Sequence, residues 1–474
     1  MPSYKTRFCA YPSAFIHKDP NGKGVSNLVK HLFWGDTIRV KEPATHGWYE
    51  ASSRDEKGWM RERDLQREAL LDIIFLDVGQ GDSCFIVTPK DERIILDAGP
   101  GDNLARYMRW RYKQFTTKAM RTMGGDIRAF ILSHPDQDHY GGLHTLFDQQ
   151  ALGTAIRVGT FFHNGIFPRS GKTFDQAFDN KNVGQVNYLT SPIRTSQELK
   201  SFLTTNKSRL NEFSKLIADI QGRPGTIKFR MLHDRSSETE VVDNVDGLSI
   251  KILSPVLERD PHGAPLLRSF ARKAGVCKNG NSVVMLLRYR DIRIFFSGDL
   301  NEQGEEFLLN RYQGKAGALT ADVFKVPHHG SSDFLDVFLA AVNPAVSIVS
   351  SGDNEGYSHP RADTLGCLGR NGRGTRPLIF STELARSPRI ETLNMRRRKT
   401  AEASVETQGS TTADIEEAKD RIVAVYGAIN LRSDGHKIVM CQKKEAPDGH
   451  GREWDIYCLE PAGGPGALSY VPQE

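Results

Sequence analysis

Short apolar runs, each closed by a polar turn, recur from residue 71 onward. Leu71-Asp72-Ile73-Ile74-Phe75-Leu76-Asp77-Val78, Cys84-Phe85-Ile86-Val87, Arg93-Ile94-Ile95-Leu96 and Ala129-Phe130-Ile131-Leu132 are rich in β formers and read as strands. They run into Gly79-Gln80-Gly81-Asp82-Ser83, Asp97-Ala98-Gly99-Pro100-Gly101 and a polar turn beginning at Ser133. Residues 103–123 carry Leu104, Tyr107, Met108 and Trp110 at helical spacing, and Leu143, Leu146 and Phe147 open another helix. Strands that feed helices through Gly-rich turns predict a layered α/β fold. Residues 171–196 read as a loop and 198–221 as one amphipathic helix, together a lid over a cleft. Residues 395–418 are polar and read as a mobile surface loop whose Arg396-Arg397-Arg398-Lys399 could touch phosphates.

Residues 1–66 have a different texture. Thr37-Ile38-Arg39-Val40, Trp48-Tyr49-Glu50-Ala51 and Gly58-Trp59-Met60 are short β segments separated by turn chemistry such as Asp19-Pro20-Asn21-Gly22. The charged run Arg61 to Glu68 reads as a linker. A small all-β domain over 1–66 is therefore expected to fold separately from a large domain at 69–465, which has insertions near 150–245 and 395–418.

Composition narrows the classes. With 38% hydrophobic and 26% charged residues among 474, the chain has ample core material for two or three domains. No stretch approaches the ~20 apolar residues that span a bilayer, and the first residues lack an apolar signal core. Six cysteines without CxxC spacing argue for reduced thiols and a cytoplasmic protein, without membrane partners. A net charge of +5 is compatible with an anionic substrate but is too mild for a dedicated DNA-binding domain.

The densest chemistry lies in Ser133-His134-Pro135-Asp136-Gln137-Asp138-His139-Tyr140-Gly141-Gly142. Imidazoles and carboxylates crowded onto one turn after an apolar strand suit zinc, manganese or iron, and two metals can share such a cluster. Ser297-Gly298-Asp299 places a carboxylate at another strand end, where it can bridge two cations. His328 and His329 follow the strand Val323-Phe324-Lys325-Val326. One of that pair is expected to reach metal, because neighbours on an extended segment point apart, and the other to contact phosphate or donate a proton. His359, before Pro360, competes for that second role. His163, His233 and His262 are expected in loops, binding nothing.

These stretches, with Leu76-Asp77-Val78-Gly79-Gln80-Gly81-Asp82-Ser83, Leu96-Asp97-Ala98-Gly99, Phe324-Lys325-Val326-Pro327-His328-His329-Gly330-Ser331-Ser332 and Ser351-Gly352-Asp353-Asn354 followed by Tyr357-Ser358-His359-Pro360, resemble the metallo-β-lactamase superfamily. More narrowly, they are similar to the soluble hydrolase domain of ComEC-type DNA-uptake proteins. Phe33-Trp34-Gly35-Asp36 through Asp64-Leu65 resembles a bacterial SH3-like barrel, in which tryptophans pack a small core. The resemblances imply an αββα sandwich preceded by an SH3-like β-barrel. They imply metal ligands at His134, Asp136, Asp138, His139 and Asp299 with one of His328 and His329, of which His329 is favoured because Gly330 beside it permits close approach, and a catalytic set of Asp138, His328 and His359. Two departures stand out. Asp136 occupies the place of the superfamily's second histidine, and Cys277-Lys278-Asn279-Gly280-Asn281 occupies that of another. One of two metal sites thereby becomes oxygen-rich, so that manganese or magnesium competes there with zinc.

The expected function is metal-dependent hydrolysis by a phosphodiesterase or nuclease acting on nucleic acid or a nucleotide, as an effector in a bacterial defence or stress system. The alternatives are hydrolysis of another ester, amide or lactone, and a non-catalytic subunit that binds a protein partner through the SH3-like domain.

Overall fold

The computed structural model describes residues 3–53, 56–112, 126–148, 156–223, 225, 227–243, 247–352, 357–382, 427–462 and 467–472. The expected loop at 395–418, the end of the helix expected over 103–123, and Asp353 and Asn354 of the last motif lie outside them.

Two large sheets face each other. The ten-stranded sheet runs Lys228–Met231, Arg157–His163, Asp126–Ile131, Arg93–Ala98, Ser83–Val87, Leu71–Phe75, Ile429–Ser433, Ile438–Lys443, Trp454–Pro461, Leu468–Val471. The six-stranded sheet runs Leu248–Ser254, Val284–Tyr289, Ile292–Phe296, Val323–Lys325, Val346–Val349, Leu378–Ser381. The sequence runs are continuously apolar because both faces of each sheet are covered. Alternate residues then serve different cores. Ile73, Phe75, Ile94 and Leu96 meet Met285, Leu287, Ile294 and Val323 between the sheets. Ile74, Phe85 and Ile95 point outward, onto helices that contribute Leu104, Leu143, Leu199 and Ile217. Leu286, Phe295 and Phe324 point the other way, onto Leu308, Phe338 and Leu368. The result is a four-layer αββα sandwich.

Three expectations change here. The stretch 171–196 is not a loop but holds the helix Phe174–Ala177 and the paired strands Asn180–Val183 and Val186–Thr190. The stretch 198–221 is not one helix but two, Ser196–Thr205 and Glu212–Gln221, with Thr195 and Asn211 as N-caps. Their apolar faces pack on the outer side of the ten-stranded sheet, so they are a layer of the sandwich and not a lid. His163 ends the strand Arg157–His163 and is 1% exposed, so it is a core residue and not a loop histidine.

The N-terminal unit is a curled, seven-stranded, all-β sheet ordered Leu28–Phe33, Ser13–His17, Glu56–Arg61, Trp48–Ser53, Thr37–Thr45, Ser3–Cys9, Leu65–Gln66. Its core is aliphatic, built from Ile16, Leu32, Ile38, Val40 and Met60 with smaller neighbours. The tryptophans do not form it. Trp48 and Trp59 are half-buried, and Trp34 packs with Leu70, Val439 and Cys458 of the large domain. Among the described residues, no helix is long and apolar enough to cross a membrane, and the six cysteines are buried and free.

Candidate metal centre

The strands Arg93–Ala98, Asp126–Ile131 and Arg157–His163 are parallel neighbours in one sheet, and Ile292–Phe296, Val323–Lys325 and Val346–Val349 are parallel neighbours in the other. Loops leaving the carboxyl ends of these strands carry the site, as is usual where parallel strands stop. Asp97 ends the first strand; His134 to His139 follow the second; Asp299 follows Ile292–Phe296, and His329 follows Val323–Lys325.

Asp138, His139, Asp299 and His329 each offer a ligand atom within 4.8 Å of the other three. Asp299 is the hub. Its Oδ1 lies 3.2 Å from His139 Nε2 and its Oδ2 lies 3.2 Å from His329 Nε2, while His329 Nε2 is also 3.2 Å from Asp138 Oδ2. Asp299 and both imidazoles are buried. Yet His139 Nε2, His329 Nε2, His134 Nε2 and Asp299 Oδ1 have no hydrogen-bond partner. Buried polar atoms are nearly always satisfied, so the orphaned atoms of His139, His329 and Asp299, gathered in one group, fit a cation.

The opposite ring nitrogens are engaged. His139 Nδ1 is 2.9 Å from Asp97 Oδ2, whose Oδ1 accepts the Ser133 N–H at 2.7 Å. His329 Nδ1 is 3.0 Å from the Ser350 carbonyl and 3.3 Å from Asp82 Oδ1, and Asp82 pairs with buried Lys325 at 2.8 Å. These contacts place the N–H on Nδ1 and leave the Nε2 lone pair facing the cluster. Asp82, Asp97 and Lys325 were not among the expected site residues. Their signal was present in Gly81-Asp82-Ser83, in Leu96-Asp97-Ala98-Gly99, and in a lysine interrupting an apolar strand.

Burial opposes charge on His139, but Asp299, Asp138 and Asp97 outweigh it and hold the ring well above the usual imidazole pKa. His329 is likewise raised against burial, by Asp299 and Asp82. Asp299 is held well below the carboxylate range, because His329 and His139 outweigh the burial that would raise it. In the metal-free cluster the surrounding carboxylates thus favour the charged form of both imidazoles, with the added proton on the Nε2 that a metal would take. Divalent metal competes with those protons, so affinity should rise with pH and binding should release protons. Calorimetry in buffers of different ionisation enthalpy measures this. Binding without proton release would contradict the ligand assignment.

His134 and Asp136 stand beside this set and not within it. His134 Nε2 is 3.4 Å from Asp136 Oδ2 and 3.9 Å from Asp299 Oδ2, and the other Asp136 oxygen is ion-paired with Lys278 Nζ. Burial, followed by the charge on His139, lowers His134 to about 4 and keeps it neutral.

His328 and His329 are not on an extended segment. Both take left-handed backbone angles, φ 48° and 55°, in the turn Pro327–Gly330, and Gly330 continues at φ 80°. Such angles are costly for histidine and persist only where packing enforces them. The turn buries His329 completely and leaves His328 half-buried, its Nε2 4.0 Å from Asp299 Oδ2. His359 lies over the pair, with ring centroids 5.9 Å from His328 and 6.4 Å from His329, and Gln80 Nε2 is 3.3 Å from its Nδ1. A side chain at Gly81 would strike the Asp138 carbonyl at 2.2 Å, so the loop 79–82 can close on the metal loop only with glycine there.

Residues 76–181 match the model of the metallo-beta-lactamase superfamily. ComE operon protein 3 of Bacillus subtilis (strain 168) is 24% identical over 322 residues, covering 65% of this chain and 31% of that protein. Competence protein ComA of Neisseria gonorrhoeae is 37% identical over 95 residues, 20% of this chain and 13% of that one. The chain thus spans less than a third of the length of either curated relative. A solved diphosphatase from the PhnP family is 11% identical with a TM-score of 0.27, covering 65% of this chain and 94% of that one.

Proposed function

We propose that this chain, which carries a metallo-beta-lactamase superfamily hydrolase domain, is a metal-dependent phosphodiesterase acting on a nucleic acid or a nucleotide. The observation that carries the reading is the set of buried, orphaned atoms of His139, His329 and Asp299, with Asp138 beside them. Asp138, His139, Asp299 and His329 would hold a divalent ion, which would supply Lewis acidity toward a phosphoryl oxygen and toward water.

The residues around that set favour an anionic substrate. His328 and His359 sit at the rim, with Tyr357 stacked on His359 at 5.8 Å and 71% exposed. Burial lowers the His328 pKa, so its ring is neutral near pH 7 and serves as a hydrogen-bond donor to a phosphoryl oxygen better than as a strong acid. Asp97 and Asp82 hold the ligating rings in orientation, and Lys325 braces Asp82.

The test is turnover of bis-p-nitrophenyl phosphate, and of single- and double-stranded DNA and RNA, by chelated protein reloaded with manganese, zinc or magnesium. Restored phosphodiester cleavage is expected. Metal-loaded protein that leaves every phosphodiester intact but hydrolyses p-nitrophenyl acetate or a lactone would move the assignment to the alternative ester or lactone chemistry.

A further inference from the structure

We propose that the ammonium group of Lys278 stands in the position of a second cation, so that the centre holds one divalent ion and not two. The inference rests on the metal-hydrolase reading and departs from the pair of ions expected from the sequence.

Among the described residues, the groups able to hold a metal are Asp138-His139-Asp299-His329 and Asp82-Asp97-His139, and neither includes His134 or Asp136. The reason is visible at Asp136. One of its oxygens faces His134 Nε2 at 3.4 Å, and the other is ion-paired with Lys278 Nζ. His134 in turn faces Asp299 Oδ2 at 3.9 Å. His134, Asp136 and Asp299 therefore outline a second position next to the first, and the cation reaching into it is a lysine. The Lys278 side chain is only 17% exposed.

Lys278 is also held in place. It lies in the last turn of the helix Ala274–Gly280, where Cys277 is fully buried. Asn281 Nδ2 donates to the Cys277 carbonyl at 2.8 Å and to the Arg268 carbonyl at 2.9 Å, and Asn301 Nδ2 donates to the Val276 carbonyl at 3.0 Å. The Val283 N–H bonds the Ser133 carbonyl at 2.8 Å, which ties the segment after this helix to the metal loop.

The chemistry explains why both departures occur together. Two neutral imidazoles would present lone pairs and no charge, and so would attract a dication. A carboxylate and an ammonium neutralise each other, and the ammonium repels any dication brought beside it. The lysine supplies positive charge beside Asp136 without metal, and its point charge suits a phosphate oxygen.

The experiment measures metal stoichiometry, which does not depend on turnover. Full-length protein is loaded with Mn²⁺, gel-filtered and analysed for metal, and its electron paramagnetic resonance spectrum is recorded. We expect about one ion per chain and the hyperfine pattern of an isolated ion. Lys278→His, which restores an imidazole, should take up about one ion more, with a spin-coupled signal. Lys278→Ala repeats the measurement if the histidine variant fails to fold. Two ions or a spin-coupled spectrum in the wild type would overturn the proposal, and so would folded Lys278 variants that still bind a single ion. A wild type that binds no metal would instead refute the hydrolase reading on which the proposal stands.

Discussion

Asp299→Asn should strip the centre of metal and of hydrolysis in the same preparation. Asp299 faces four imidazoles of the site: His139 and His329 at 3.2 Å, His134 at 3.9 Å and His328 at 4.0 Å. Asparagine keeps the shape but removes the charge that holds the cluster together, and its amide would place a donor against Nε2 atoms that should accept nothing but a cation. A ligand lost from a four-residue set should cost more than the ~10–100-fold typical of an orienting partner, so a fall of roughly 10³-fold or more in metal affinity and rate is expected. Asp97→Asn, which touches His139 Nδ1 and the Ser133 N–H and is not in the four-residue ligand set, should show that smaller orienting effect. His328→Ala should retain metal while slowing turnover. Metal analysis and phosphodiesterase rates on matched samples decide the matter, and an Asp299→Asn protein with full metal content would remove Asp299 from the ligand set.

The parts of this centre legible in the sequence were those whose chemistry is concentrated in a short segment. The turn 133–142 declares itself by residue type alone. Asp299 and the His328-His329 pair declare themselves by ending apolar strands. What escaped depends on partners far away in the chain. Asp97 orients a histidine 42 positions later, and Asp82 meets Lys325 only because the two sheets stop at the same edge. The extended-strand argument for His328 and His329 failed because a left-handed turn, not alternation, separates the two rings. The single helix over 198–221 failed for a local reason, since Asn206 and Asn211 end one helix and cap the next, and capping chemistry outweighs a shared apolar period. The tryptophans of the N-terminal unit misled in another way. Their size suggested a core, but Trp34 is spent on the contact with the large domain.

That contact is the basis of the second large effect, in Arg432→Met. Arg432 sits on the strand Ile429–Ser433 directly opposite Asp72 and is 4% exposed. Its Nη1 donates to the Trp34 carbonyl at 2.8 Å and to Asp36 Oδ1 at 3.0 Å, its Nε lies 3.2 Å from Asp72 Oδ1, and its guanidinium stacks on Phe33 at 3.8 Å. One side chain thus joins the N-terminal unit to the sandwich. Methionine fills much the same volume but leaves Asp72 with Arg111 as its remaining guanidinium partner at 2.6 Å, and removes the charge beside Asp36. Breaking a buried pair by removing one partner typically costs ~3–5 kcal/mol, and that loss is expected in urea unfolding at pH 7. The sign of its pH dependence follows from Asp72. Burial would raise the Asp72 pKa, but Arg432 and Arg111 more than reverse this and hold it below the usual value. A depressed carboxylate adds stability that is present above its unfolded pKa of ~3.9 and is lost as pH falls through the folded value. The gap between wild type and Arg432→Met should therefore be widest near neutrality and shrink as the pH falls below ~4. The same interface predicts that a chain beginning at residue 69, which the sequence alone suggests will stay folded, instead exposes Leu70, Val439, Cys458 and Trp454 and aggregates. A destabilisation in Arg432→Met below ~1 kcal/mol, or a well-behaved 69–474 chain, would mean that the two units merely rest against each other.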